Sequence, residues 1–83
     1  MGGAFMITFG QRLKELRVEN NLRVRDLSDE ISITEMAWRY YETDKREPNL
    51  NVIRFICKRF NVSADYFLGL SDERTNLSEL KKA

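Results

Sequence analysis

The spacing of apolar residues constrains this chain most: it is helical nearly throughout, and residues that start or stop helices interrupt it at short intervals. Phe9, Leu13 and Leu16 fall at i, i+4 and i+7, with Thr8 placed to cap the start. Asn20-Asn21 closes this first helix, because Asn tolerates the left-handed conformation that ends one. Val24, Leu27 and Ile31 make a second short stripe, which Ser32-Ile33-Thr34 interrupts. Thr34 caps a third helix, and Ile33 before it is positioned to staple onto Trp38. Asp44 is a stop, and Asp44 to Pro48 reads as a loop. Asn49 caps a fourth helix with the stripe Leu50, Ile53, Ile56, Cys57 and Phe60, which Asn61 closes. Ser63 caps a fifth, Ala64 to Leu68, with Val62 and Phe67 as its staple and Gly69 as its end. The expected fold is therefore all-α. An arm over 1–8 leads into five helices over 9–69 and a tail over 70–83, which after Leu70 is polar apart from Leu77 and Leu80.

Bulk properties narrow the class of function. At 83 residues the chain is one small domain, and such a domain buries only ~60% of its unfolded surface, so a compact core or a partner subunit is needed. The balance of 42% hydrophobic and 33% charged residues is that of an ordinary globular protein. No apolar run approaches a membrane span, and the N-terminus has neither a signal peptide nor a myristoylation pattern. The expected location is cytoplasmic, with no membrane partner. A single Cys57 and no histidine leave no disulfide and no zinc ligand set, and they remove the Ser-His-Asp and Cys-His arrangements of nucleophilic catalysis. Four scattered glycines make no phosphate-cradling loop. These absences point away from an enzyme and from any cofactor or metal. Net charge is only +1, so a nucleic-acid partner has to be argued from where the charges sit.

Two short helices around a turn, such as the second and third here, are the skeleton of a helix-turn-helix. In that device the first helix crosses the DNA backbone and the second lays its outer face in the major groove. The inner faces must be apolar to hold the angle. Leu27, Ile31, Ile33, Trp38 and Tyr41 supply them, which leaves Glu35, Met36, Arg39 and Tyr40 on the outer face of residues 34–43. Trp38 is read as core.

Several pieces then match a known pattern in order: Leu13-Lys14-Glu15-Leu16-Arg17, Asn21-Leu22, Leu27, Tyr41-Glu42, Lys45-Arg46-Glu47-Pro48-Asn49-Leu50, and the run from Phe60 to Gly69. Over Phe9 to Gly69 the chain resembles the Cro/repressor-type, or XRE, helix-turn-helix family of DNA-binding transcriptional regulators. The resemblance implies a five-helix lambda-repressor-like fold and a partly buried ion pair between Arg17 and Glu42. It also implies a backbone-contacting loop holding Lys45 and Arg46. Arg23, Arg25 and Thr34, at the starts of the second and third helices, complete the phosphate contacts. Arg39 is the expected base reader, by bidentate pairing with guanine, with Met36 and Tyr40 against thymine methyls or sugars. Tyr40 reads equally as a partly buried ring. Glu35 either accepts from cytosine N4 or complements the helix dipole.

The sequence departs from that family at instructive places. Ser or Thr followed by Gln often opens the second helix, where this chain has Arg23 and Val24, and glycines often stand where it has Ser32 and Asp44. The outer face of the third helix is poor in donors, so a homodimer reading a pseudo-palindromic operator in double-stranded DNA is expected to supply affinity. The fifth helix, with Tyr66, Phe67, Leu68 and Leu70, is the expected dimer surface. A repressor-like regulator is the first reading. The second keeps the fold but makes it an interaction module for a protein partner, antitoxin-like or anti-repressor.

Overall fold

The computed structural model describes residues 7–75. Within them the chain forms five helices and no strand: α1 (Phe9–Glu19), α2 (Val24–Glu30), α3 (Glu35–Glu42), α4 (Leu50–Phe60) and α5 (Ala64–Phe67). The caps expected from the sequence are realised at four of the five starts. Thr8 accepts from the Gln11 N–H while the Gln11 side chain accepts from the Thr8 N–H, closing a capping box. Thr34, Asn49 and Ser63 each accept from the N–H three residues on. At α2 the cap is inverted. Arg23 has no acceptor to offer, and Asp26 instead takes the Arg23 N–H at 2.8 Å.

The helix ends share one device. After each helix stands one residue of positive φ: Asn21, Ser32, Asp44, Asn61 and Gly69. The next N–H in each case, from Leu22, Ile33, Lys45, Val62 and Leu70, reaches back five residues to a carbonyl. This is the Schellman closure, repeated at every turn. The residue after the turn normally folds back on an apolar neighbour. Leu22, Ile33 and Val62 do so, joining or flanking the core. Lys45 and Leu70 do not, and both remain exposed.

The core is a single cluster of Leu13, Leu16, Val24, Leu27, Trp38, Tyr41, Val52, Ile56, Val62, Tyr66 and Phe67. α1 packs on α3 and α5, α2 on α3, and α4 on α5. The approach of α1 to α3 is close enough to require glycine. A Cβ on Gly10 would lie 2.6 Å from the Tyr41 carbonyl oxygen and 2.7 Å from that of Glu42.

Expectations at two places, α4 and α5, need correction. Leu50 is 70% exposed and lies outside the α4 stripe, whose buried members are Val52 and Ile56. Two i,i+3 steps from Leu50 to Ile56 carry it about 120° around the helix, off the inner face. Tyr66 and Phe67, expected on a dimer surface, are inside the monomer. The Phe67 and Phe9 rings meet in a T-shaped pair, and the Tyr66 ring lies under the Arg12 guanidinium at 4.2 Å. Only Leu68 and Leu70 of that set are exposed, at 52% and 76%, and α5 stops at Phe67, one residue before the expected end.

Beyond Gly69 the chain stays on the body. Residues 71–74 are bound to the body as a strap. Arg12 donates to the carbonyls of Tyr66 and Ser71 and to Asp72. The Ser63 N–H donates to the Arg74 carbonyl, and Arg74 donates to Glu19 twice and to the Tyr66 hydroxyl. Those bonds pull the Glu19 carboxyl below its usual range and push the Arg74 guanidinium higher still. Leu77, Leu80 and most of the expected arm lie outside the described residues.

Candidate nucleic-acid interface

The angle at which α3 is presented rests on Glu42. Its carboxylate takes Arg17 Nε at 2.6 Å, Arg17 Nη2 at 3.1 Å and Trp38 Nε1 at 2.7 Å. Arg17 also donates through Nη1 to the Leu22 carbonyl. Both side chains are largely buried, at 15% and 6% exposure. One pair therefore ties the end of α1, the turn before α2 and the end of α3 together. Trp38 is fully buried and Tyr41 nearly so, so the inner face of α3 is committed to the core.

The outer face follows by elimination. Met36 is 62% exposed, and the Arg39 side chain is similarly open. Glu35, on the first turn of α3, lies between two arginines: Arg25 Nε stands 3.4 Å from one carboxylate oxygen and Arg39 Nη2 3.9 Å from the other. Arg39 also borders a shallow hollow of about 200 Å³ with Lys14, Arg17, Glu42 and Thr43. Lys14 is a cation that the spacing of the recognition helix does not reveal, because it comes from α1.

Beyond α3 the loop is tightly held. The N–H groups of Lys45 and Arg46 both donate to the Tyr40 carbonyl, and both cationic heads lie over the Tyr40 ring, at 5.8 and 5.5 Å. Tyr40 is half-buried and serves as the platform for both cations. Asp44 anchors the same loop to the start of α1, accepting from the Thr8 hydroxyl and the Gly10 N–H. A carboxylate there also suits the positive end of the α1 dipole.

The cations expected to meet DNA thus divide into two groups. Arg23 bonds Asp26 through both Nε and Nη2, which holds the Asp26 carboxyl below its usual range with help from the Arg23 N–H, and raises Arg23 in turn. Arg25 and Arg39 share Glu35. Lys45 and Arg46 make no ion pair among the described residues. Thr34 faces its own helix as the α3 cap. Asp26 escaped the sequence reading, although it follows Arg23 at the capping-box interval, and Asp44 was expected only as a helix stop, without its bonds to Thr8 and Gly10. No group of His, Cys, Asp or Glu among the described residues could hold a metal ion, and no described helix is long and apolar enough to cross a membrane.

A helix-turn-helix whose second helix is braced from behind and open in front defines the class of protein. Comparison with known proteins agrees. Residues 10–73 match the family model described as a helix-turn-helix domain. The chain is 35% identical over 75 residues to the HTH-type transcriptional regulator YobD of Bacillus subtilis (strain 168), covering 83% of this chain and 67% of that one. It is 35% identical over 75 residues to YqaE of the same organism, covering 89% and 65%. To the HTH-type transcriptional regulator ImmR, also of that organism, it is 30% identical over 73 residues, covering 88% and 57%. The matched segment thus spans about two thirds or less of these relatives' lengths. The chain belongs to the Cro/repressor-type helix-turn-helix family of transcriptional regulators.

Proposed function

We propose that this protein is a sequence-specific, repressor-like DNA-binding regulator that acts as a homodimer on a pseudo-palindromic operator, with residues 34–43 in the major groove. The observation that carries the reading is the outer face of α3, where Met36 and Arg39 stand exposed on a helix whose other side is locked by Glu42. Arg39 reads guanine through its paired donors, while Met36 and Tyr40 contact thymine methyls or sugars. Lys45 and Arg46, held over Tyr40, meet the backbone after the recognition helix. Arg23, Arg25 and the Thr34 end of α3 approach it from the other side. Leu68 and Leu70 form the dimer patch, with Tyr66 and Phe67 beneath it. Two copies then read half-sites about one helical turn, ~34 Å, apart.

Fluorescence anisotropy with DNA from the protein's own promoter region, at two salt concentrations, tests this. Binding that weakens as salt rises is expected; no binding at low salt refutes the reading. Replacing Leu68 and Leu70 together by Lys should yield monomers where the wild type sediments as a dimer.

The net charge of +1 and the carboxylate partners of Arg23, Arg25 and Arg39 favour a second reading, an interaction module for another protein. A stoichiometric protein partner that co-purifies, and whose association survives Arg39→Ala, would support it.

A further inference from the structure

Glu35, on the first turn of α3, engages two arginines from two helices, Arg25 of α2 and Arg39 of α3. Its two carboxylate oxygens are divided between them, one toward Arg25 and one toward Arg39. All three side chains are substantially exposed, so the cluster contributes little to folding, as is usual of surface pairs. Its consequence lies in binding.

We propose that Glu35 is a specificity-determining residue that acts through Arg25 and Arg39, as an internal competitor for DNA phosphate. The inference rests on the DNA-binding reading above. When either arginine meets a phosphate, it exchanges one anionic oxygen partner for another, and the net gain is small. When Arg39 meets guanine, it gains two acceptors in fixed geometry, a contact that discriminates against the wrong base. The Glu35 carboxylate also faces the approaching backbone with like charge. Together these effects lower the affinity for any sequence that offers phosphate alone, and lower it less where a base edge is read. Lys45 and Arg46, with no carboxylate partner among the described residues, keep the unspecific attraction that brings the protein to DNA.

The contrast between Lys45 and Arg25 shows that the arrangement is local. Removing Glu35 therefore differs from raising the net charge elsewhere. Glu15, exposed on α1, provides the control, since Glu15→Gln changes net charge by the same amount.

The test is anisotropy of the full chain on two duplexes: one of random sequence, and one recovered from a random pool by selection on the wild type. Circular dichroism checks that each variant is folded. For Glu35→Gln we expect about fivefold tighter binding to the random duplex, the scale of one charge–charge contact in water. The dependence of log K on log salt should steepen by about one. The selected duplex should gain less, so that the ratio between the two falls, and Glu15→Gln should leave that ratio unchanged. Equal effects of the two variants, or an unchanged affinity of Glu35→Gln for the random duplex, would overturn the inference and leave the DNA reading intact. Weaker binding of Glu35→Gln to the selected duplex would overturn it too, by making Glu35 itself the base reader. A wild type that binds neither duplex at low salt removes the DNA reading and this inference together.

Discussion

Glu42 receives three donors from Arg17 and Trp38, and this one carboxylate sets where α3 stands relative to α1. Because both partners of the ion pair are largely buried, removing one strands the other. Arg17→Met should cost ~3–5 kcal/mol, measured as a lower urea midpoint, whereas Arg17→Met combined with Glu42→Leu should lose less than the two single variants summed. Strict additivity would show that the pair contributes no coupling. The resemblance named Arg17 and Glu42 from the sequence. It could not name Trp38 as their third partner, since that bond depends on the indole being buried with its N–H turned toward the end of the helix. Arg12 was equally hidden. Nothing in its spacing distinguishes it from a solvated arginine, and its burial follows from the strap that closes over Tyr66.

At the scale of elements, five closures with one pattern of hydrogen bonds end helices of very different length. Four of the five use a residue other than glycine at positive φ, where an L side chain costs roughly 1–2 kcal/mol. The turns nonetheless differ in what the side chain returns. Ser32 makes no side-chain hydrogen bond among the described residues, while Asp44 joins Thr8 and Gly10 across the molecule. Ser32→Gly should therefore raise the melting temperature, with a gain of up to ~1 kcal/mol. Asp44→Gly should lower it, by about 1–2 kcal/mol, because charge-assisted bonds are lost with the strain. Shifts of the same sign in both variants would refute this account. Caps and stops were legible because each depends on a residue and its near neighbours in the chain. The inverted cap at Arg23 was not foreseen, though its acceptor, Asp26, lies within the same turn.

The whole molecule carries no histidine, and among the described residues the displaced carboxyls, Glu19 and Asp26, are both held below their ordinary values of 4.5 and 3.8. A lowered folded value means that the unfolded chain binds more protons in the window between the two values. The stability these groups contribute is complete above their ordinary values and is lost as pH falls through the folded ones. The melting temperature should therefore be flat from about pH 5.5 to 8, where only histidine normally titrates, and should fall in acid. Glu19→Gln should shallow that acid limb, and a transition near pH 6.5 would contradict the reading. Helix number, helix order and the helix-turn-helix were all present in the chain, since periodicity, caps and stops are local properties that survive in any extended sequence. Which apolar residues stay outside was decided only by packing. Tyr66 and Phe67 look as available as Leu68 and Leu70 until α1 and the strap close over them. The pairing of Glu35 with Arg25 and Arg39, and the stacking of Lys45 and Arg46 on Tyr40, were likewise settled by the fold. Charge lies in the composition, but its cancellation depends on distance across helices, and only the tertiary structure sets those distances.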